Sequence, residues 1–150
     1  MFSEGHLLYF DPFKFHNGTQ KPKFFVVLKH DGNGLLLASL PTSKDHIPSD
    51  MPVRQGCYEH PEKNINVYVF MAGQSVAMHP ETQETFCFDK NTFVYGADIN
   101  TYPVAEFEEQ SRLGEMKIIL KGKMEAGLFD DLRDCLKKSA CVKNKFKRIL

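Results

Sequence analysis

The sequence predicts a mainly β domain that ends in a helix. Three observations point there. Residues 21–48 hold two dense apolar runs separated by a turn. Further short β-prone runs, punctuated by Gly, Pro and Asn, fill most of the chain beyond them. The last two dozen residues switch to helical spacing.

Residues 21–48 organise the rest. Phe24-Phe25-Val26-Val27-Leu28 is rich in aromatic and β-branched residues, as strands are. Asp31-Gly32-Asn33-Gly34 supplies turn residues that tolerate positive φ. Leu35-Leu36-Leu37-Ala38-Ser39-Leu40 returns as the partner strand. Nearly every position is apolar, which predicts a hairpin buried on both faces. Pro41-Thr42-Ser43-Lys44-Asp45-His46 follows at once. Two hydroxyls, an ammonium, a carboxylate and an imidazole therefore leave the most buried strand on one loop, a common placement for functional groups.

Ahead of the hairpin, residues 6–10 read as a first strand. Asp11-Pro12-Phe13-Lys14-Phe15 reads as a loop, either pinned to the core by its two Phe or offering an aromatic and basic surface for base stacking. Residues 47–66 are loop-rich, with Pro48, Pro52, Gly56 and Pro61. That length favours a functional loop or a short strand around Cys57-Tyr58. Residues 67–71 form a strand, turned by Ala72-Gly73-Gln74, with residues 75–78 expected to pair back. Residues 85–88 and 92–95 flank Asp89-Lys90-Asn91 as a hairpin. Many short strands of this kind predict a strongly curved sheet or barrel. A short helix is expected over 104–112 and a last strand over 117–120.

At the C-terminus, Leu128, Leu132, Cys135, Ser139, Val142, Phe146 and Ile149 alternate spacings of four and three. This is one helical seam, with Gly127 weakening its start, so the helix is expected after it. Acids come early and six Lys or Arg come late, an order that suits the helix macrodipole. The basic end is either a solvated face of a docked helix or an arm for RNA phosphates or a partner protein.

The chain has 150 residues, 42% hydrophobic and 25% charged, with zero formal net charge. This is one domain of ordinary globular composition, and not a generally basic nucleic-acid-coating protein. The expected division is a β barrel over residues 1–122 and a basic amphipathic helix over 123–150, packed on the same domain. Cys57, Cys87, Cys135 and Cys141 include no Cys-x-x-Cys pair, which argues against zinc. No apolar run approaches the ~18 residues of a membrane span, and Glu4 precedes any basic n-region. The expectation is a cytoplasmic protein with free cysteines, no membrane association and no metal or other cofactor.

The N-terminal third resembles the MazF/PemK-like toxin family of small bacterial endoribonucleases from toxin–antitoxin systems. Gly5 with the strand after it, Lys21-Pro22 before residues 24–28, and Pro41-Thr42-Ser43 match the family's pieces in order and spacing. Leu120-Lys121-Gly122-Lys123 followed by a helix is similar to the family's end. The resemblance implies a small SH3-like β barrel, a homodimer, an antitoxin-like protein partner, and metal-free cleavage of single-stranded RNA through its own 2′-hydroxyl. Lys21, Thr42, Ser43 and His46 are the candidate catalytic residues. Lys14, Lys44, Arg54 and Lys90 are the candidate substrate contacts. Lys21 stands where the family usually has Arg, and Asp89-Lys90-Asn91-Thr92-Phe93 has no Arg where the family often carries one. Lys keeps the charge but not the bidentate fork. A second reading is therefore a non-catalytic member of the fold that binds RNA or protein.

Overall fold

The computed structural model describes residues 1–15, 17–32, 34–40 and 53–150. Ten strands and three α-helices lie among them. The strands are β1 (His6–Lys14), β2 (Gln20–Asp31), β3 (Gly34–Leu40), β4 (Gly56–His60), β5 (Ile65–Phe70), β6 (Ser75–Met78), β7 (Thr85–Cys87), β8 (Thr92–Tyr95), β9 (Ile99–Pro103) and β10 (Lys117–Met124). The helices are α1 (Val104–Arg112), α2 (Ala126–Lys137) and α3 (Asn144–Lys147).

The expected hairpin is β2 and β3, antiparallel, running from Phe24 opposite Leu40 to Asp31 opposite Gly34. Its apolar run divides by parity. Val26, Leu28, Leu36, Ala38 and Leu40 enter one core. Phe25, Val27, Leu35 and Leu37 enter another, on the opposite face. Successive strand residues point to opposite faces, so a run without polar interruption needs a core on each side. Both cores are present.

The hairpin sits inside a seven-stranded sheet of order β7-β6-β10-β1-β2-β3-β9. A second sheet has the order β4-β5-β8. The protein is thus mainly β, with helices at its C-terminal end, and its antiparallel sheets end at strand edges. The short strand expected around Cys57-Tyr58 is β4, and α1 has the expected bounds.

Five expectations are corrected. Residues 11–14 continue β1 instead of forming a loop, with an irregularity between Phe10 and Phe13. β6 does not pair with β5 but with β10 and β7. Gly122 permits this: a Cβ there would lie 3.0 Å from the Met78 backbone and from the Ala77 side chain. β7 and β8 are not a hairpin, because β8 pairs with β5 in the other sheet. The C-terminal helix begins at Ala126, where the Glu125 carboxylate accepts from the Gly127 and Leu128 amides at 3.0 and 2.9 Å. It is also not continuous. The seam breaks after Lys137, the buried Ser139 accepts through Oγ from the Cys141 amide at 2.9 Å, and α3 follows.

The cysteines are the fifth correction. Cys57 of β4 and Cys135 of α2 form a disulfide, while Cys87 and Cys141 are free thiols. Around that link, Asn66 of β5 donates to Glu59 of β4 at 2.6 Å and to the Cys135 carbonyl at 3.3 Å. Glu59 also accepts from the Ala140 amide at 3.2 Å. Residues of α2 and α3, among them Leu132, Leu136 and Phe146, complete the first core.

Candidate functional site

The second face of the large sheet is only partly roofed. α1 covers it with Val104 and Phe107. Beside the helix remains a groove of about 660 Å³, within the usual range of ligand sites. Phe13 and Phe25 line it from the sheet, and Tyr102 of β9 stands against both, with ring centroids 5.8 and 6.1 Å away.

Pairing explains how the polar groups arrive. β9 sets Asn100 opposite Leu37 and Tyr102 opposite Leu35. Asp98, two residues before Asn100, lines the same groove. Lys23 lies two residues before Phe25 on β2 and projects on the same side. Ser39 lines the groove too, one residue before the end of β3. Glu106 and Gln110, one helical turn apart on α1, close the wall.

One rim combines cations with an aromatic ring. The Lys21 and Lys23 ammonium groups lie 5.5 and 5.0 Å from the centroid of Phe15. Phe15 in turn stands edge-on to Phe13, with centroids 5.0 Å apart. Lys14 lines the same groove and is ion-paired with Glu115 at 3.0 Å. The pair is half exposed, so it competes weakly with an incoming anion. Lys143, from the chain just before α3, also lines the groove.

The groove lining also carries acceptors, among them Asp98, Glu106 and Gln110. Burial, and then the charge of Asp98, raises the Tyr102 hydroxyl pKa above the ordinary tyrosine value. The phenol therefore stays protonated through the neutral range. Gln110 Oε1 is buried without a hydrogen-bond partner.

Of the sequence-predicted site residues, Lys14 lines the groove and Lys21 lies over Phe15 at its rim. Arg54 lies elsewhere, its guanidinium 5.0 Å from the Tyr58 ring centroid in the small sheet. Lys90 sits in the turn before β8, where its carbonyl accepts from Thr92 Oγ1 at 2.9 Å. Thr42, Ser43, Lys44 and His46 lie outside the described residues. Sequence reasoning missed Lys23, Asp98, Tyr102 and Gln110, and placed Lys143 only within the basic C-terminal end. The alternation of Lys21, Lys23 and Phe25 was a usable signal for the first. Asp98, Asn100 and Tyr102 also alternate, but with too few apolar residues to announce a strand.

Among the described residues, no group of three or more His, Cys, Asp or Glu side chains is placed to hold a metal ion. No described helix is long and apolar enough to cross a membrane. Comparison with known protein families, curated proteins and solved structures finds no match for the chain.

Proposed function

We propose that the groove takes single-stranded RNA, and that the chain is a MazF/PemK-like, metal-independent endoribonuclease. The observation that carries this reading is the rim where the Lys21 and Lys23 ammonium groups lie over Phe15, with Lys14 lining the same groove. Ammonium groups neutralise phosphates, and an exposed ring edge or face stacks an unpaired base. Aromatic walls deeper in the groove suit splayed bases, the form in which single strands are recognised.

In the proposed reaction, a 2′-hydroxyl oxygen attacks the neighbouring phosphorus and loses its proton. The bond from phosphorus to the 5′ oxygen breaks, and that oxygen is protonated as it leaves. The products are a 2′,3′-cyclic phosphate and a free 5′-hydroxyl. Lys21 stabilises the charge that builds on the phosphate oxygens. Thr42 and Ser43 orient the phosphate, His46 handles the proton, and Lys44 assists with charge. In the sequence these residues come soon after β3, whose Ser39 lines the groove. The SH3-like kinship of the sheet, an antitoxin partner, a homodimer and a bacterial cytoplasmic setting belong to the same reading.

One observation favours a second reading, binding without cleavage. No arginine lines the groove among the described residues. Arg112 is paired with Glu109 at 2.7 Å, and Arg133 lies over Phe129, 5.3 Å from its centroid.

Incubation with a long unstructured RNA in EDTA decides between the two. The expected result is discrete fragments with cyclic-phosphate ends, lost in Thr42→Ala and Lys21→Ala. Intact RNA that is nonetheless bound would establish the second reading. Intact and unbound RNA would refute both.

A further inference from the structure

Lys143 joins two charged surfaces, and what is inferred from it rests on the RNA reading above. It lines the groove that Lys14 and Lys23 also line. It also flanks the N-terminus of α3, whose other end is followed by Arg148.

The charge beyond Lys143 is not accounted for by the helix before it. Residues 135–150 hold six Lys or Arg and no Asp or Glu, although the whole chain is neutral. One continuous helix would explain them, because cations at a helix C-terminus are favoured by its dipole. That effect falls off within the last turn, and α2 ends at Lys137. Lys143, Lys145, Lys147 and Arg148 lie past that end. Lys143, Lys145 and Arg148 are exposed, and Lys147 is half-buried. Among the described residues none of the four is ion-paired. Lys143 and Lys145 lie 6.0 and 5.0 Å from the Phe146 ring centroid, contacts that leave their charge unneutralised.

The segment is held in place. Val142 and Phe146 are buried in the first core on either side of Lys143. The Lys147 amide donates to the Lys143 carbonyl at 3.1 Å, and the Arg148 amide to the Asn144 carbonyl at 3.1 Å. Lys147 therefore stands one turn beyond Lys143, on the same side of the helix. Cations lead from the groove along α3. The buried apolar residues also bear on the kind of partner. A helix that lies on a membrane turns its apolar face to the lipid. Here Val142, Phe146 and Leu150 turn into the protein, and charge is what α3 offers outward.

We propose that α3 and its flanks form a phosphate track. A single strand longer than the groove leaves it past Lys143, and its backbone continues along Lys145, Lys147 and Arg148. The track adds affinity without base preference, because phosphate contacts carry no sequence information.

The test is fluorescence anisotropy on the full chain with 2′-O-methyl RNA strands of about four and about 16 nucleotides, which 2′-hydroxyl attack cannot cut. Lys145→Gln/Lys147→Gln/Arg148→Gln removes three charges and leaves Lys143 in the groove. It is expected to weaken the long strand roughly tenfold or more at about 0.1 M salt. The slope of log K against log salt should fall by about 2, from about 0.7 per charge. Affinity for the short strand should hold. Arg148→Gln alone, at an exposed position, should lower the long-strand slope by about 0.7. Lys63→Gln/Lys117→Gln/Lys123→Gln removes as much charge from exposed residues that do not line the groove, and should leave both affinities nearly unchanged. Unchanged long-strand binding in the first two variants, an equal loss for the short strand, or an equal loss in the third variant overturns the track. Unchanged RNA binding with loss of binding to phosphatidylserine vesicles in the first variant would assign the segment to a membrane surface instead. Absence of wild-type binding to either strand overturns the RNA reading itself, a distinct outcome.

Discussion

The Lys23 ammonium stands 5.0 Å from the centroid of the Phe15 ring, joining a strand-borne cation to an aromatic side chain just past the end of β1. Lys21 approaches the same ring. Stacking on one aromatic side chain contributes about 1–3 kcal/mol per base. Phe15→Ala should therefore weaken single-stranded RNA binding by roughly 5- to 150-fold. Anisotropy titration measures this. Unchanged affinity would remove Phe15 from the interface.

Lys21→Ala and Lys23→Ala should act differently from Phe15→Ala. Each removes one phosphate contact, so each lowers the slope of log K against log salt by about 0.7 for a single strand. The loss should be similar for every base sequence, because phosphate contacts carry none. Titration across a salt series checks this. An unchanged slope would contradict a phosphate role.

Gly96 should tolerate no side chain. A Cβ there would lie 2.4 Å from Asn66 Oδ1 and 3.0 Å from Val142 Cγ2. Asn66 is already held by Glu59 and Cys135, so it cannot step aside cheaply. Gly96→Ala is expected to cost about 1–3 kcal/mol or more, read from the urea midpoint. Wild-type stability in that variant would show that the contact relaxes freely.

Tyr68 predicts an alkaline weakness. Its hydroxyl donates to Asp131 at 2.7 Å, and burial followed by that carboxylate raises its pKa. Tyr102 is raised as well. In the unfolded chain tyrosine loses its proton near pH 10. The stabilisation is thus complete below about pH 10 and falls as pH climbs towards the folded-state values. Tyr68→Phe should cost about 1 kcal/mol at neutral pH, since Asp131 is solvent-exposed, and should make the alkaline decline shallower. Urea midpoints measured from about pH 8 to about 11 test both. A decline as steep as the wild type's would contradict it.

The parts legible in the sequence were those with strong local periodicity. β2 and β3 announced two-sided burial through an unbroken apolar run, and α1 had its expected bounds. Strand partners were not legible. Ser75 to Met78 carries the same pattern whether it pairs with β5 or β10, and the deciding feature is the space left by Gly122 across the sheet. The C-terminal seam misled for a related reason. Val142 and Phe146 keep helical spacing and are buried, although the chain turns at Ser139 between α2 and α3. Cys57 and Cys135 are 78 residues apart, a distance at which spacing says nothing of pairing. Of the residues named from the sequence, Lys14 lines the groove and Lys21 lies over Phe15. Asp98, Tyr102 and Gln110 were missed because the half-polar edge strand β9 and the helix α1 bring them there.

Photo-crosslinking of a short single-stranded RNA to the full chain, with mass-spectrometric mapping, tests the central claim most directly. The molecule carries aromatic residues on both sheet faces, and the groove lies on the face of Phe13, Phe25 and Tyr102. The account predicts crosslinks at Phe15 and Tyr102. Crosslinks confined to Tyr9, Phe24 and Phe86, which cluster on the other face with centroids 4.7 and 5.6 Å apart, would contradict it.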